Sequence, residues 1–195
     1  MSKHTSIKDT LTRIKELDEL ELVALAQRQL PYVTFAYEEL MRRYQKQLHS
    51  IALRYLRNNS DAEEVVHDVM LKAFVNLKNF ENRSSFKTWI YRLTFNESVD
   101  KIRAVSKHPS TPELEVDLLP SREIQHSLSA ESAILDQWMK QLNAIDRSII
   151  VFRVQFELDF KEIAQIVDLN LSTVKMKHKR ALEKLRKSNI TNRLS

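Results

Sequence analysis

The sequence predicts an all-α protein: two small helical domains joined by a flexible, acidic, proline-containing linker. Three observations predict it. Apolar residues recur at steps of three and four in two long blocks, and no run alternates with period two. Three of the four prolines, Pro109, Pro112 and Pro120, fall between those blocks, among Ser110, Thr111, Glu113, Glu115, Asp117 and Ser121. The 195-residue chain has no glycine, on which the favoured β-hairpin turns depend. Charge follows the same division. Residues 104–130 carry a net −2, residues 1–103 a net +3 and residues 131–195 a net +4. The expected division is an N-terminal extension at 1–30, a first domain at 31–104, the linker at 105–130 and a second domain at 131–189. An ordered loop within one domain competes with the linker, but structureless loops of about 25 residues are uncommon in compact domains.

The first long helix is read from Ala36, Leu40, Tyr44, Leu48, Ile51, Ala52 and Tyr55, which share one face. Asn58 and Asn59 break it. Ser60-Asp61-Ala62-Glu63 then offers a capping box, with serine as N-cap and glutamate at N3. The helix that follows should bury Ala62, Val65, Val66, Val69, Ala73 and Leu77. Its other face carries Glu63, Glu64, His67 and Asp68, which suits either plain solvation or an acidic docking surface. A break over residues 79–85 precedes a helix from Phe86 to Arg103. There Arg92, Asn96, Asp100 and Arg103 fall within about 80° of arc. Trp89 lies close to this stripe, and Tyr91 and Phe95 lie beyond its other edge. Cations, amides and aromatics in this mixture suit single-stranded nucleic acid. A packed aromatic face with an Asp100–Arg103 ion pair is the simpler reading.

The second block is more specific. Phe160, Ile163, Ala164 and Val167 form an apolar stripe on a short helix. Asp168-Leu169-Asn170-Leu171 interrupts the period, and a further helix should start near Ser172 as N-cap. Val174, His178, Ala181, Leu182 and Leu185 line its apolar face. Residues 172–187 carry seven basic side chains and one acidic, Glu183. Two short helices, a tight turn and a basic outer face describe a helix-turn-helix. Lysines and arginines on such a helix neutralise phosphates while the first turns reach base edges. Met176 lies amid the basic face, where it can touch a thymine methyl. A solvated basic helix end is the competing reading. His178 reads as a core histidine.

Composition excludes several classes of function. Without glycine there is no phosphate-cradling P-loop and no GxGxxG dinucleotide site. Without cysteine there is no disulfide, thiol nucleophile or cysteine-held metal. The six histidines form no HxxxH or HExxH pair. No catalytic residue, cofactor or metal is expected, and the chain reads as a non-enzyme. No apolar run approaches the roughly twenty residues of a membrane span. The N-terminus lacks the apolar core of a signal peptide. A cytoplasmic protein without membrane insertion is expected. The net charge of +5 leans towards polyanions.

With these residues in view, the chain resembles the sigma-70 family of bacterial RNA polymerase sigma factors. It is most similar to the small extracytoplasmic-function (ECF) group, which has only sigma domains 2 and 4. The resemblance runs from about Phe35 to Arg186, apart from the linker. Asp61-Ala62-Glu63-Glu64-Val65-Val66-His67-Asp68-Val69 resembles the helix that binds core polymerase. Ser85-Phe86-Lys87-Thr88-Trp89-Ile90-Tyr91-Arg92-Leu93, followed by Asn96, resembles the segment that recognises and melts the −10 element. Asp146-Arg147, Phe160-Lys161-Glu162-Ile163-Ala164 and Ser172-Thr173-Val174-Lys175 resemble the domain 4 helix-turn-helix for the −35 element. Family members often have Gln-Glu where this chain has His67-Asp68. They commonly have glycine where Asp168 stands, and often where Ser172 stands. Nothing resembles sigma region 1.1 or domain 3.

The resemblance implies a transcription initiation factor whose partners are core RNA polymerase, through the β′ clamp helices and the β subunit, and promoter DNA. An anti-sigma factor is a further candidate partner. It implies polymerase contacts at Asp61, Glu63, Glu64, His67 and Asp68. It implies −10 contacts at Asn82, Arg83, Ser84, Lys87, Trp89, Arg92 and Asn96. The −35 contacts fall on Ser172, Thr173, Lys175, Met176, Lys177, Lys179, Arg180 and Lys184. The linker is expected to run towards the RNA exit channel. Two other readings compete. One is a helix-turn-helix regulator that binds duplex DNA without joining the polymerase, since Ser172-Thr173-Val174-Lys175 also resembles response-regulator DNA-binding helices. The other is a helical adaptor with an unspecific basic tail.

Overall fold

The computed structural model of the chain describes residues 7–105 and 142–193, with side chains from Thr10 to Ala104 and from Leu142 to Lys187. The expected linker from residue 106 on, with its prolines, and the start of the second domain before residue 142 lie outside the described residues; Val105 ends a helix. The described residues form eight α-helices and a 3-10 turn, with no strand. They divide into two compact units, with the boundary between Ser98 and Val99.

The first unit opens with α1 (Ile7–Glu16) and α2 (Glu19–Gln29). Asp18 caps α2 through a capping box with Glu21. Residues 1–30 are expected only as an extension, yet both helices pack on α3 (Phe35–Leu56). Two polar side chains of α3 hold them. Arg43 donates to the carbonyls of Leu17 (3.0 Å) and Lys15 (2.9 Å), the open end of α1. The Tyr44 hydroxyl donates to the Glu19 carboxylate. Burial and then that carboxylate push the Tyr44 pKa up.

α3 ends at Arg57, which takes the left-handed conformation with φ of 53°. Glycine is the usual residue there, and this chain has none. α4 (Asn59–Asn76) follows at once. Its cap differs from the sequence reading. Asn58 accepts from the Asp61 N–H (3.1 Å), so the helix starts before Ser60 and the serine lies inside the first turn. An asparagine carbonyl at Asn58 meets the N3 donor first, and the expected Ser60–Glu63 box does not form. Ala62, Val65, Val66, Val69, Ala73 and Leu77 are buried, as the periodicity predicts. A 3-10 turn (Leu77–Asn79) leads to the loop before α5 (Phe86–Val105).

The second unit holds α6 (Ala144–Val154), α7 (Phe160–Val167) and α8 (Leu171–Arg193). Leu142, Ile150, Val151 and Ala181 form a core with Phe156 and Leu185 against it. Asn143 caps α6, and Asp159 caps α7 through a box with Glu162.

Candidate nucleic-acid interface

Three surfaces carry the residues singled out by the sequence. On α4, Glu63, Glu64, His67 and Asp68 are all exposed, and Asp61 is half-buried. Their opposite face is buried in the first unit, so the acidic side is left to solvent. Asn59 Nδ2 donates to Glu63 Oε1 (2.6 Å), which ties down one of these carboxylates. The sequence reading missed what continues the face. Leu71 and Val75 are 53% and 71% exposed, one and two turns beyond Asp68. Helical spacing puts Glu64, Asp68, Leu71 and Val75 in one row. The surface is therefore acidic at one end and apolar at the other.

The second surface is the loop before α5 and that helix's outer stripe. α2 anchors the loop: Gln27 Nε2 donates to the carbonyls of Leu77 (3.0 Å) and Phe80 (2.7 Å). Asn82 turns the chain with φ of 56°. Arg83 pairs with Glu81 at 2.6 Å, with both side chains largely exposed. Ser84 Oγ donates to the Ser85 carbonyl, and Ser85 Oγ accepts from the Thr88 N–H (3.0 Å), capping α5. Trp89 is half-buried, its ring 5.1 Å from Phe80 and 5.6 Å from Phe86. This packing fixes the indole beside the loop. Arg92 and Asn96 are exposed and Lys87 is partly so. Tyr91 and Phe95 are buried, stacked edge-on against Tyr44 and Tyr55. They belong to the core and not to a stacking platform. Arg103 pairs with Asp100 at 3.2 Å, the ion pair the spacing allowed.

The third surface is the helix-turn-helix. Asp168 closes α7 in the left-handed conformation (φ 56°, ψ 45°), with its N–H on the Ala164 carbonyl. Aspartate tolerates that region better than most residues, so the turn forms without glycine. The next cap is not Ser172. Asn170 Oδ1 accepts from the Thr173 N–H (2.8 Å) and from Ser172 Oγ (2.7 Å). α8 accordingly begins one residue before the serine. Val174 and Ala181 are fully buried. Leu182, expected on the apolar face, is 37% exposed at its margin. Ser172, Lys175, Met176, Lys179, Arg180 and Lys184 are exposed, and Thr173 is half-buried. The Lys177 ammonium lies 3.3 Å from the Asp146 carboxylate on α6.

His178 is half-buried, its ring 5.1 Å from Phe160. The Arg153 guanidinium sits 5.0 Å over the centroid of the same Phe160 ring and donates to the Leu158 carbonyl. Burial, then the Arg153 charge, hold His178 below the usual imidazole range. It is a packing residue, as the sequence reading had it. Among the described residues, no group of three or more His, Cys, Asp or Glu is arranged to hold a metal ion. None of the described helices is long and apolar enough to cross a membrane.

All three surfaces fall within segments that match known proteins. Residues 40–108 match the family model for sigma-70 region 2, and residues 138–187 match that for sigma-70 region 4. The chain is 25% identical over 169 residues to the ECF RNA polymerase sigma factor SigW of Bacillus subtilis, covering 78% of this chain and 88% of the relative. It is 28% identical over 162 residues to the ECF RNA polymerase sigma-E factor of Escherichia coli, covering 76% and 83%. Its fold is similar to that of CnrH in complex with the cytosolic domain of CnrY. That match has a TM-score of 0.65 and 21% identity, and covers 91% of this chain and 99% of the other. It is also similar to the sigma factor RpoE of Bartonella quintana, solved with the anti-sigma factor NepR. There the TM-score is 0.60 and the identity 18%, with 80% and 96% covered.

Proposed function

We propose a promoter-opening mechanism for this chain, which belongs to the sigma-70 family of bacterial RNA polymerase sigma factors, in its ECF group. The protein is a transcription initiation factor. It binds core RNA polymerase and directs it to specific promoters. It acts in the cytoplasm and performs no catalysis; the polymerase makes the bonds. One observation carries this reading: region 2 and region 4 sequences stand in one chain, in order. A duplex-binding regulator that stays apart from polymerase has no use for the first.

The residue roles follow from surface chemistry. Residues 31–104 act as sigma domain 2, with α1 and α2 as an extension packed on α3. Residues 105–130 link it to domain 4 at 131–189. Glu63, Glu64, His67 and Asp68, with Asp61 beside them, dock on the β′ clamp helices, an acidic face steering towards complementary charge. Asn82, Arg83 and Ser84 in the loop, with Lys87, Trp89, Arg92 and Asn96 on α5, receive unstacked −10 bases. Their contacts offset an unpairing cost of a few kcal/mol. α8 enters the −35 major groove, and Thr173, Lys175, Met176, Lys179 and Arg180 include the contacts to base edges. Lys184, further along, meets phosphate. An anti-sigma factor, of the kind bound to the Bartonella quintana protein, is the expected regulator.

Reconstitution tests the reading. Purified core polymerase plus this chain should start transcripts at a small set of sites sharing −35 and −10 sequences. Core alone should not. Selective duplex binding with no effect on start sites would favour the regulator. Unselective binding would favour the basic adaptor.

A further inference from the structure

We propose that Lys177 is a positioning residue: through Asp146 it sets the roll of α8 against α6 and thereby aims the base-reading side chains. The proposal rests on the −35 reading of α8. The sequence alone puts Lys177 among the DNA contacts, one more cation on a basic helix. Its environment separates it from its neighbours.

Asp146 is only 6% exposed. A buried carboxylate is costly unless it is paired and hydrogen-bonded. It lies in the first turn of α6, where the helix end favours negative charge. Its own N–H is taken by Asn143 Oδ1 at 2.8 Å. Lys177 Nζ supplies the cation, at 3.3 Å, from 31 residues further along the chain. The lysine is 29% exposed, unlike the open Lys175 and Lys179 on either side of it.

Helical phase explains the difference. With Val174 at the origin, Ala181 lies about 20° and Lys177 about 60° to one side. Both Val174 and Ala181 are fully buried, so Lys177 stands at the edge of the seam. Met176 points roughly 160° from Val174, with Lys179 and Arg180 flanking it. A cation fixed at the seam's edge limits rolling of the helix about its axis. A small roll would swing Met176, Lys179 and Arg180 across the groove floor. The ammonium spent on Asp146 is then not a phosphate contact.

The two roles differ in measurable ways. The test uses holoenzyme on a −35 promoter library, across a salt series. Lys177→Gln and Asp146→Asn should each weaken −35-dependent occupancy roughly fivefold, the scale of a coupled pair. Both should relax base preference at the same positions, and the double variant should be no worse than either single one. The salt slope should stay at the wild-type value. Lys177→Arg, which keeps the charge, should restore the wild-type preference, and this separates positioning from general loss of fold. A salt slope reduced by about one in Lys177→Gln, with Asp146→Asn at wild-type occupancy, would identify a phosphate contact and overturn the proposal. So would single-variant losses that simply add. Wild-type holoenzyme that ignores the −35 sequence would instead overturn the sigma reading itself.

Discussion

Acid should loosen α1 from α3 through one carboxylate. Glu39 is 6% exposed, although it carries a charge, and it sits one turn into α3. It accepts from Arg42 at 2.7 Å through both oxygens, and from Arg43 Nε at 2.9 Å. Arg43 in turn holds the Leu17 and Lys15 carbonyls. The hydrogen bond from Arg42 lowers the Glu39 pKa most, burial opposes it, and Arg43 adds to the lowering; the carboxyl is held at about 2. Against the ordinary 4.5, that corresponds to at most about 3 kcal/mol. Arg42 is 65% exposed, so solvent screens its share, and about 2 kcal/mol is a fair value. Because the folded-state value is the lower one, this contribution is complete above about pH 5 and is lost as pH falls from there towards 2. For a unit of roughly a hundred residues, 2 kcal/mol is about 10 °C in Tm. Trp89 fluorescence reports on this unit once the second tryptophan, Trp138, is replaced by phenylalanine. Glu39→Gln should lower Tm by about that amount at neutral pH, and its Tm should fall less than the wild type's between about pH 5 and pH 3. Parallel profiles for the two proteins over that interval would refute the reasoning.

Two further outcomes follow from the surfaces. Replacing Glu64 and Asp68 together by lysine should weaken binding to core polymerase at least tenfold, a loss of about 1.4 kcal/mol or more. Far-UV circular dichroism should be unchanged, because both side chains are exposed; undiminished affinity for core would remove α4 from the docking surface. Glu157 is exposed and held at φ of 53° in the turn between α6 and α7. A left-handed non-glycine residue costs about 1–2 kcal/mol, and glycine's unfolded-state freedom returns about 0.5–1. Glu157→Gly should therefore raise the Tm of the second unit by a few degrees, and a drop in calorimetry would contradict this.

What could be read in the sequence was what repeats locally. The buried row of α4, the acidic face behind it and the stripe of Arg92 and Asn96 all follow from helical phase, and the structure bears out each. Caps were misplaced where two candidates stood close together. At Asn58 and Asn170 the asparagine side chain reaches the third helical N–H, and the nearby serine is drawn into the helix. Treating asparagine only as a helix breaker hides that role. What could not be read depends on pairs far apart in sequence. No local pattern foretells that Arg43 will clasp the end of α1, or that Lys177 will find Asp146. In a basic helix every lysine looks alike until a buried carboxylate selects one. The same logic governs Glu39, a charge in an otherwise apolar neighbourhood whose burial makes sense only with two arginines beside it. Buried carboxylates such as Glu39 and Asp146 thus mark the cations that are paired within their own units.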